Sequence, residues 1–157
     1  MKQIRIPMDE LMPLLLLQLT HGPANLPITG SSMHPMLRSG RDQVVLEKME
    51  SFPDKGHPVF LYLRDNGDYV LHRLVRRKKD HFLCCGDNQW QPEPVRADQV
   101  VAMVTGFFRK GKFYHVNHRG YRVYAWLWSV AFPVRRPLLA VRRWLGKLRK
   151  IRRRKTK

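Results

Sequence analysis

The sequence predicts a small, mainly β domain with an N-terminal helix and a C-terminal amphipathic basic helix. The chain has 157 residues, which is enough for one ordinary domain with its own core. Its 11 prolines and 10 glycines are spread along the whole length, and this favours short strands and turns over a helical bundle. Short β-branched and aromatic runs lie between them, as is typical of strands. We therefore expect three parts: residues 1–24, 25–118 and 119–157.

The N-terminal part is predicted to form an apolar helix over residues 9–21, packed on the body of the protein or on a partner. Asp9 can serve as its N-cap, and Gly22 with Pro23 ends it. The leucine run inside it resembles a secretory signal, but Pro13 interrupts the run and no small-residue cleavage site follows. We therefore expect no cleavable signal peptide. The run is also too short to span a bilayer.

The central part, residues 25–118, is predicted to be a series of short strands joined by tight turns. Residues 65–68 (DNGD) and 110–111 (KG) are turn signals of the kind that connects neighbouring strands. Six or seven such strands favour a small, coiled β domain. The clearest strand runs are residues 43–48, 58–63, 69–76, 81–85, 99–108 and 113–116.

The two cysteines, Cys84 and Cys85, are adjacent. This position excludes an ordinary disulfide framework. On a strand their side chains point to opposite faces, so they also make a poor metal pair. We predict buried, reduced thiols, which fit a cytoplasmic protein, and we expect no metal and no cofactor.

The positive charge is concentrated towards the C-terminal end. Residues 1–98 hold 13 Lys and Arg against 12 Asp and Glu, whereas residues 99–157 hold 17 Lys and Arg and no acidic residue. The first part therefore has an ordinary globular surface. The second part is expected to contact something anionic.

The strongest candidate for a functional site is the stretch around Ser32, residues 30–42 (GSSMHPMLRSGRD). Small residues lead into the serine and Pro35 prevents a helix, so the turn can hold a hydroxyl at a fixed, exposed place. A serine hydroxyl becomes a nucleophile only when a neighbouring base takes its proton. His72, on a predicted strand, is a candidate base. Without such a base, Ser32 would only cap its own turn or bond the backbone.

Three stretches in order resemble the nucleophile box and the second and third boxes of the signal peptidase I and LexA-type superfamily of serine peptidases. They are the spacing Ser-Met-x-Pro-x-Leu-x-x-Gly from Ser32, residues 69–75 (YVLHRLV) and residues 86–88 (GDN). The resemblance covers residues 28–106 and implies the coiled β fold of these peptidases, with Ser32 as nucleophile. It implies His72 as the base. Most bacterial signal peptidases carry a lysine at this place, whereas the archaeal, endoplasmic-reticulum and sporulation-type branch carries a histidine.

The resemblance leaves two candidates for an acidic third member. Asp87 matches the Gly-Asp box of the family and would orient His72 and stabilise its imidazolium. An aspartate in this place can instead simply build the turn. Glu93 is the alternative, since some relatives use a later acid. We prefer Asp87.

The substrate is expected to lie beside the serine. The backbone N–H of Ser32 is the economical donor to an oxyanion, because Gly30 stands where some signal peptidases add a serine hydroxyl. We expect Gly30, Ser31, Met33 and Pro35 to be the substrate-binding residues.

The C-terminal part is predicted to be helical and amphipathic. Residues 123–134 (VYAWLWSVAFPV) form an apolar run that Ser129 and Pro133 break, and the run is too short to span a bilayer. An apolar stripe with basic residues on its other faces suits a helix that lies in an anionic membrane surface through residues 121–151. The alternative is a helix that covers an apolar face of its own domain. The stripe consists of Leu138, Val141, Trp144, Leu145, Leu148 and Ile151.

Together these features predict a serine endopeptidase that removes leader or signal segments from peptide or protein precursors through a Ser-His(-Asp) acyl-enzyme mechanism. We expect a cytoplasmic, peripherally membrane-associated protein with no full transmembrane helix. The alternative is a non-catalytic, peptidase-like binding module whose basic tail engages nucleic acid, a membrane or an acidic partner. We do not expect nucleic acid to be the partner, because no helix-turn-helix precedes Ser32.

Overall fold

A computed structural model describes residues 8–141 of the protein, with side chains from residue 10 onward. Within this range eight strands form one antiparallel sheet, and a helix lies at each end of the strand region. The prediction of a mainly β domain is therefore confirmed. The part of the predicted apolar stripe that follows residue 141 lies outside the described residues. The elements are α1 (Met8–His21), β1 (Ala24–Pro27), β2 (Asp42–Glu47), β3 (Val59–Leu63), β4 (Tyr69–Arg77), β5 (Phe82–Cys85), β6 (Glu93–Val95), β7 (Val100–Arg109), β8 (Lys112–His115) and α2 (Arg119–Val130).

The strand order is β1-β2-β7-β3-β4-β5-β6, and β8 pairs with β7 outside this path. The end strands of that path, β1 and β6, are the strands that the sequence pattern missed. Each contains a proline, Pro27 and Pro94 respectively. Proline lacks the amide proton that a central strand needs, but it is tolerated at the edge of a sheet.

Helix α1 covers one face of the sheet. Its buried side chains include Met12, Leu15 and Leu19, whose spacing of three and four residues puts them on one side of the helix. They join a core formed with β1, β2, β3 and β7, and burial of each contributes about 2 kcal/mol. Leu14 and Leu17 stay exposed. The predicted N-terminal helix is confirmed, and its start differs by one residue.

The β3–β4 hairpin, joined by the turn predicted at residues 65–68, separates two groups of side chains. Opposite residues of an antiparallel pair share a face, as do residues two apart on a strand. Phe60 pairs with His72, so Tyr62 lies on the same face of the hairpin as His72. Arg73, the next residue of β4, points to the other face and is fully buried. The hairpin therefore sends His72 and Arg73 into different surroundings.

Helix α2 packs back onto the domain along one side. The side chain of His118 caps its first turn, with Nδ1 accepting the Gly120 amide at 3.2 Å. Ala125 and Ser129 are buried on the inner side. This side of α2 covers its own domain, whereas Leu138 and Val141 of the predicted apolar stripe are exposed. Across residues 8–141, the helices are too short or too polar to cross a membrane.

Candidate active site

Ser32 lies in the loop that joins β1 to β2. Met33 and Leu37 are buried, and the Leu37 amide donates to the Met33 carbonyl at 2.9 Å, so the loop is anchored in the core directly after the serine. Ser32 itself is half-buried. Its carbonyl oxygen accepts a hydrogen bond from the Asn88 amide at 2.7 Å. This bond ties the serine loop to the turn that follows β5.

The far end of the serine loop is fixed by Asp42, the buried first residue of β2. Its carboxylate accepts the Arg38 amide at 3.0 Å and Nε of Arg41 at 2.6 Å. Burial by itself would raise the pKa of Asp42, but the bonds from Arg41 and Arg38 outweigh that effect and lower the pKa. Gly40 has φ 70°, a conformation that favours glycine. The loop that contains Ser32 is therefore held in place on both sides of the serine.

The imidazole of His72 is buried, and its Nδ1 faces two oxygens. Glu93 Oε1 lies 3.0 Å from Nδ1, and the Tyr62 hydroxyl oxygen lies 2.9 Å from it. Tyr62 in turn donates its hydroxyl proton to Glu93 Oε1. Arg64 donates from Nε to Oε2 at 2.8 Å and from Nη2 to Oε1 at 2.7 Å. The Glu93 carboxylate is thus fixed by three side chains of the β3–β4 hairpin.

Sheet register explains how Glu93 reaches His72. Cys84 of β5 pairs with Leu74 on one side and with Glu93 on the other. Leu74 lies two residues after His72, so all four side chains share one face of the sheet. Glu93 therefore extends towards the imidazole from the short edge strand β6.

These contacts fix the tautomer of the imidazole. An ionised carboxylate only accepts hydrogen bonds, and the single proton of Tyr62 is already donated to Glu93. We therefore assign the proton to Nδ1 of His72, which leaves Nε2 with a free lone pair. A general base opposite a serine requires this tautomer.

Nε2 of His72 and the serine loop meet at Gly86. A Cβ built on this glycine would lie 3.1 Å from His72 Nε2 and 2.7 Å from the Ser32 carbonyl oxygen. The second distance is too short for a real Cβ beside a backbone atom. Glycine is required here because it lets the two chain segments approach closely.

Ser32 and His72 line the same cleft, of about 280 Å³. Among the described residues, no hydrogen bond joins Ser32 Oγ to the imidazole. Such bonds are often long without substrate and tighten in the complex. Most of the cleft is apolar, and Arg64 and Gln89 add polar groups. Its apolar side chains include Met12, Leu26, Ile28, Leu61 and Leu71.

The predicted substrate-binding residues divide into two pairs. Gly30 and Met33 line the cleft, whereas Ser31 and Pro35 do not. Ser31 is exposed and Pro35 is half-buried. A role of these four residues in binding substrate stays a prediction.

The charge states of the site follow from burial and from its hydrogen bonds. Burial lowers the pKa of His72, and the neighbouring Glu93 offsets only part of this. Burial would raise the pKa of Glu93, but the bonds from Arg64 and Tyr62 outweigh it and lower the pKa. Burial, together with Glu93, raises the pKa of Tyr62. At neutral pH the site therefore holds a neutral imidazole, a carboxylate and a protonated phenol.

Asp87, the preferred third member, does not hold the imidazole. Its fully buried carboxylate is paired with Arg73, with Nε–Oδ1 at 2.8 Å and Nη2–Oδ2 at 3.0 Å. Asp87 lies in the turn after β5, which the Gln89 amide closes by donating to the Gly86 carbonyl at 3.0 Å. The Asp87 carboxylate reaches Arg73 on the face of the sheet opposite to His72. The carboxylate that contacts the imidazole is instead that of Glu93, the alternative left open by the sequence.

Asp87 links the active-site turn to α2. Tyr124 donates its hydroxyl to Asp87 Oδ2, and Nε1 of Trp128 donates to the Asp87 carbonyl, both at 3.0 Å. The guanidinium carbon of Arg73 lies 5.5 Å from the ring centre of Tyr121 and 5.6 Å from that of Tyr124. The buried cation is therefore paired with a carboxylate and covered by aromatic faces, as burial of a charge requires. Through these contacts α2 supports the turn that binds the serine loop.

Sequence reasoning does not identify Tyr62 or Arg64 as part of the site. The one available signal is that they are two residues apart, which puts their side chains on the same face of an extended chain. That chain is β3 and the residue after it, and β3 is the strand that pairs with the strand of His72. That signal becomes useful only when the register of β3 against β4 is known. A tyrosine and an arginine near the end of a strand are otherwise ordinary.

The two cysteines take no part in this chemistry. Cys84 and Cys85 are free and buried, which confirms the prediction of buried, reduced thiols. Burial raises the pKa of Cys84 to about 12 and that of Cys85 to about 11. At neutral pH neither forms the thiolate that a nucleophile or a metal ligand needs.

Comparisons of this chain with protein-family models, with curated proteins and with solved structures found no match.

Proposed function

We propose that the protein is a serine endopeptidase that cleaves leader or signal segments from peptide or protein precursors. The observation that carries this proposal is the orientation of His72. Its Nδ1 faces the Glu93 carboxylate, and its Nε2 faces the point where the serine loop passes Gly86. A nucleophile, a base and a group that orients the base are the parts of a catalytic triad, which is recognised by geometry and roles. We assign these roles to Ser32, His72 and Glu93.

The proposed reaction proceeds through an acyl-enzyme. Ser32 Oγ attacks the carbonyl carbon of the scissile amide while Nε2 of His72 takes the hydroxyl proton. The imidazolium then donates this proton to the leaving amine as the C–N bond breaks, and an ester remains on Ser32. Water then gives a proton to the same nitrogen and attacks the carbonyl carbon of the ester. The imidazolium returns the proton to Ser32 Oγ as the ester C–O bond breaks, which releases the carboxylic acid and restores the serine. The backbone N–H of Ser32 donates to the oxyanion.

Glu93 acts on the base and not on the substrate. It accepts the Nδ1 proton, holds the ring in the active tautomer and stabilises the imidazolium by its negative charge. Arg64 keeps the carboxylate ionised through two hydrogen bonds. Tyr62 fixes its orientation by donating a third.

The substrate class rests on the family resemblance and on the cleft. Leader and signal segments are rich in apolar residues, and the cleft beside Ser32 is lined mostly by apolar side chains. An extended peptide can reach Ser32 along this cleft, because Gly30 contributes no side chain at its exposed edge.

A fluorophosphonate probe that reacts with activated serines tests the proposal. We expect the wild type to be labelled and Ser32→Ala to remain unlabelled. Ser39→Ala, which changes an exposed serine of the same loop, is the matched control and should label like the wild type. His72→Ala should slow labelling by about 10⁴-fold or more, because nucleophile and base act as a unit. Equal labelling of wild type and Ser32→Ala overturns the proposal and leaves the non-catalytic binding module.

A further inference from the structure

The outer side of α2 carries an apolar stripe that no described residue covers. Val123, Trp126, Leu127 and Val130 are 53–58% exposed, and their spacing of three and four residues puts them on one side of the helix. Contiguous exposed apolar surface of this kind marks an interaction site. We call it the outer stripe. Beyond α2 it continues through Val134, Leu138 and Val141, which are 49–55% exposed.

The surroundings of the outer stripe are basic. Arg119, Arg122 and Arg136 are exposed beside it. From residue 99 to the end of the chain there is no Asp or Glu, and residues 142–157 add ten further Lys and Arg. The exposed charged side chains of α2 itself, Arg119 and Arg122, are both basic. An apolar stripe with basic groups on the same helix is complementary to a partner that is apolar inside and anionic at its surface.

A cleft beside the outer stripe has the same character. Its walls include Val116, Val123 and Trp126, while Lys55, Arg119 and Arg122 also line it. All three of these basic side chains are exposed. The cleft therefore offers apolar surface and cationic groups side by side, as the chain and head group of an anionic lipid require.

We infer that the outer stripe docks on an anionic lipid surface. A second copy of the chain fits less well, because a two-fold interface pairs the same patch with itself and would bring the basic groups of the two α2 helices towards one another. Nucleic acid is bound chiefly by Lys and Arg on phosphate, which leaves the exposed valines, leucine and tryptophan unexplained. A bilayer surface satisfies both the apolar side chains and the charges, and tryptophan is a typical side chain at its interface.

Sedimentation of the full-length protein with vesicles tests this inference. The vesicles consist of phosphatidylcholine alone or mixed with phosphatidylglycerol, in low salt and in about 0.5 M salt, where the Debye length is about 4 Å. We expect binding to the mixed vesicles at both salt concentrations and weaker binding to phosphatidylcholine alone. The double variant Leu127→Asp, Val130→Asp should lower the partition coefficient in high salt by about tenfold or more, since it removes the apolar contribution that salt does not screen.

The matched control is Leu14→Asp, Leu17→Asp, which adds the same charge at exposed apolar positions of α1. It should change the partition coefficient by less than about twofold at high salt, because surface charges are then screened. Circular dichroism of each variant checks that the fold is kept. Equal binding by the wild type and the α2 double variant overturns the inference, since the basic residues alone would then hold the protein.

Failure of the wild type to bind mixed vesicles also overturns the inference, and three further measurements then identify what the stripe and its charges bind. A dimer in analytical ultracentrifugation that the α2 double variant dissociates would identify a second copy. A monomer whose unfolding temperature falls in the same variant would identify residues 142–157 of the chain itself. Binding of duplex DNA by wild type and variant alike would assign the charges to nucleic acid.

Discussion

At the scale of single residues, the position of one carboxylate decides the chemistry of His72. Glu93 and Asp87 are both acidic and both follow β5, but only Glu93 lies at Nδ1 of the imidazole. Glu93 can set the tautomer of the base and balance its charge. Asp87 cannot set the tautomer, because both of its oxygens are bound to Arg73, and its charge raises the pKa of His72 less than that of Glu93 does.

Replacing Glu93 by glutamine should therefore impair catalysis more than folding. The amide is almost the same size but carries no charge, so it cannot stabilise the imidazolium. We expect kcat/KM for a peptide substrate to fall by about 10³- to 10⁴-fold, as when a triad carboxylate becomes an amide. The unfolding temperature is the control measurement and should change little. A variant with near-normal turnover would show that Glu93 does not act on the base.

The pH dependence of activity tests the charge state of His72. Only the neutral imidazole can take the serine proton, so kcat/KM should rise with pH through the folded-state pKa of His72 and then stay level. Burial lowers that pKa from its usual value of 6.5, so the midpoint of the rise should lie below pH 6.5. Because Glu93 holds the pKa up, Glu93→Gln should move the rise to lower pH. A midpoint above 6.5 would contradict a buried, neutral base.

At the scale of elements, the turn after β5 brings together the serine loop and the base. Gly86→Ala should disturb this meeting point, because the new Cβ would lie 2.7 Å from the Ser32 carbonyl oxygen. The loop must move to relieve the contact, and a displacement of about 1 Å can reduce turnover by about 100-fold. We expect that loss in kcat/KM. Gly22→Ala is the matched control, since nothing lies within 4 Å of its Cβ position, and normal activity of Gly86→Ala would contradict the close approach.

The elements also show how much of the site could be predicted from the sequence. Ser32 and His72 are predicted chiefly from the three stretches that resemble the peptidase boxes, because a serine in a turn and a histidine on a strand are common by themselves, and both line the cleft. Glu93 is placed by β6, a strand of three residues that contains a proline. Such a strand has no recognisable pattern of its own, because pairing with β5 and not local propensity makes it a strand. The choice between Glu93 and Asp87 therefore required the sheet register.

At the scale of the whole molecule, the buried pair of Arg73 and Asp87 joins the sheet to α2. Asp87→Asn would leave the Arg73 cation buried without a counter-charge, which typically costs about 3–5 kcal/mol. That is a large part of the roughly 5–15 kcal/mol by which a domain is stable. We expect a marked drop in the urea midpoint of unfolding. The control is Asp65→Asn, which removes an ion pair with Arg96 whose side chains are 77% and 54% exposed, respectively. It should change the free energy of unfolding by about 1 kcal/mol or less.

A result in which both aspartate variants unfold at the wild-type urea concentration would show that the buried pair does not hold the domain together. If instead Asp87→Asn unfolds early but the folded fraction still reacts at Ser32, the pair supports the architecture alone. This outcome would show that Asp87 stabilises the fold and that Glu93 is the acidic residue that acts on the base.

The contact between Asp87 and α2 has a consequence for the time at which activity arises. The N-terminal part of a chain leaves the ribosome first, and it can begin to fold before the rest of the chain is made. Ser32, His72 and Glu93 all emerge before Tyr124 and Trp128, the residues that hold the turn beside the serine loop. A nascent chain thus carries every reacting group of the proposed peptidase before α2 can bind the turn that contains Asp87. On the proposed function, we expect Ser32 to react slowly until α2 has left the ribosome and bound the turn.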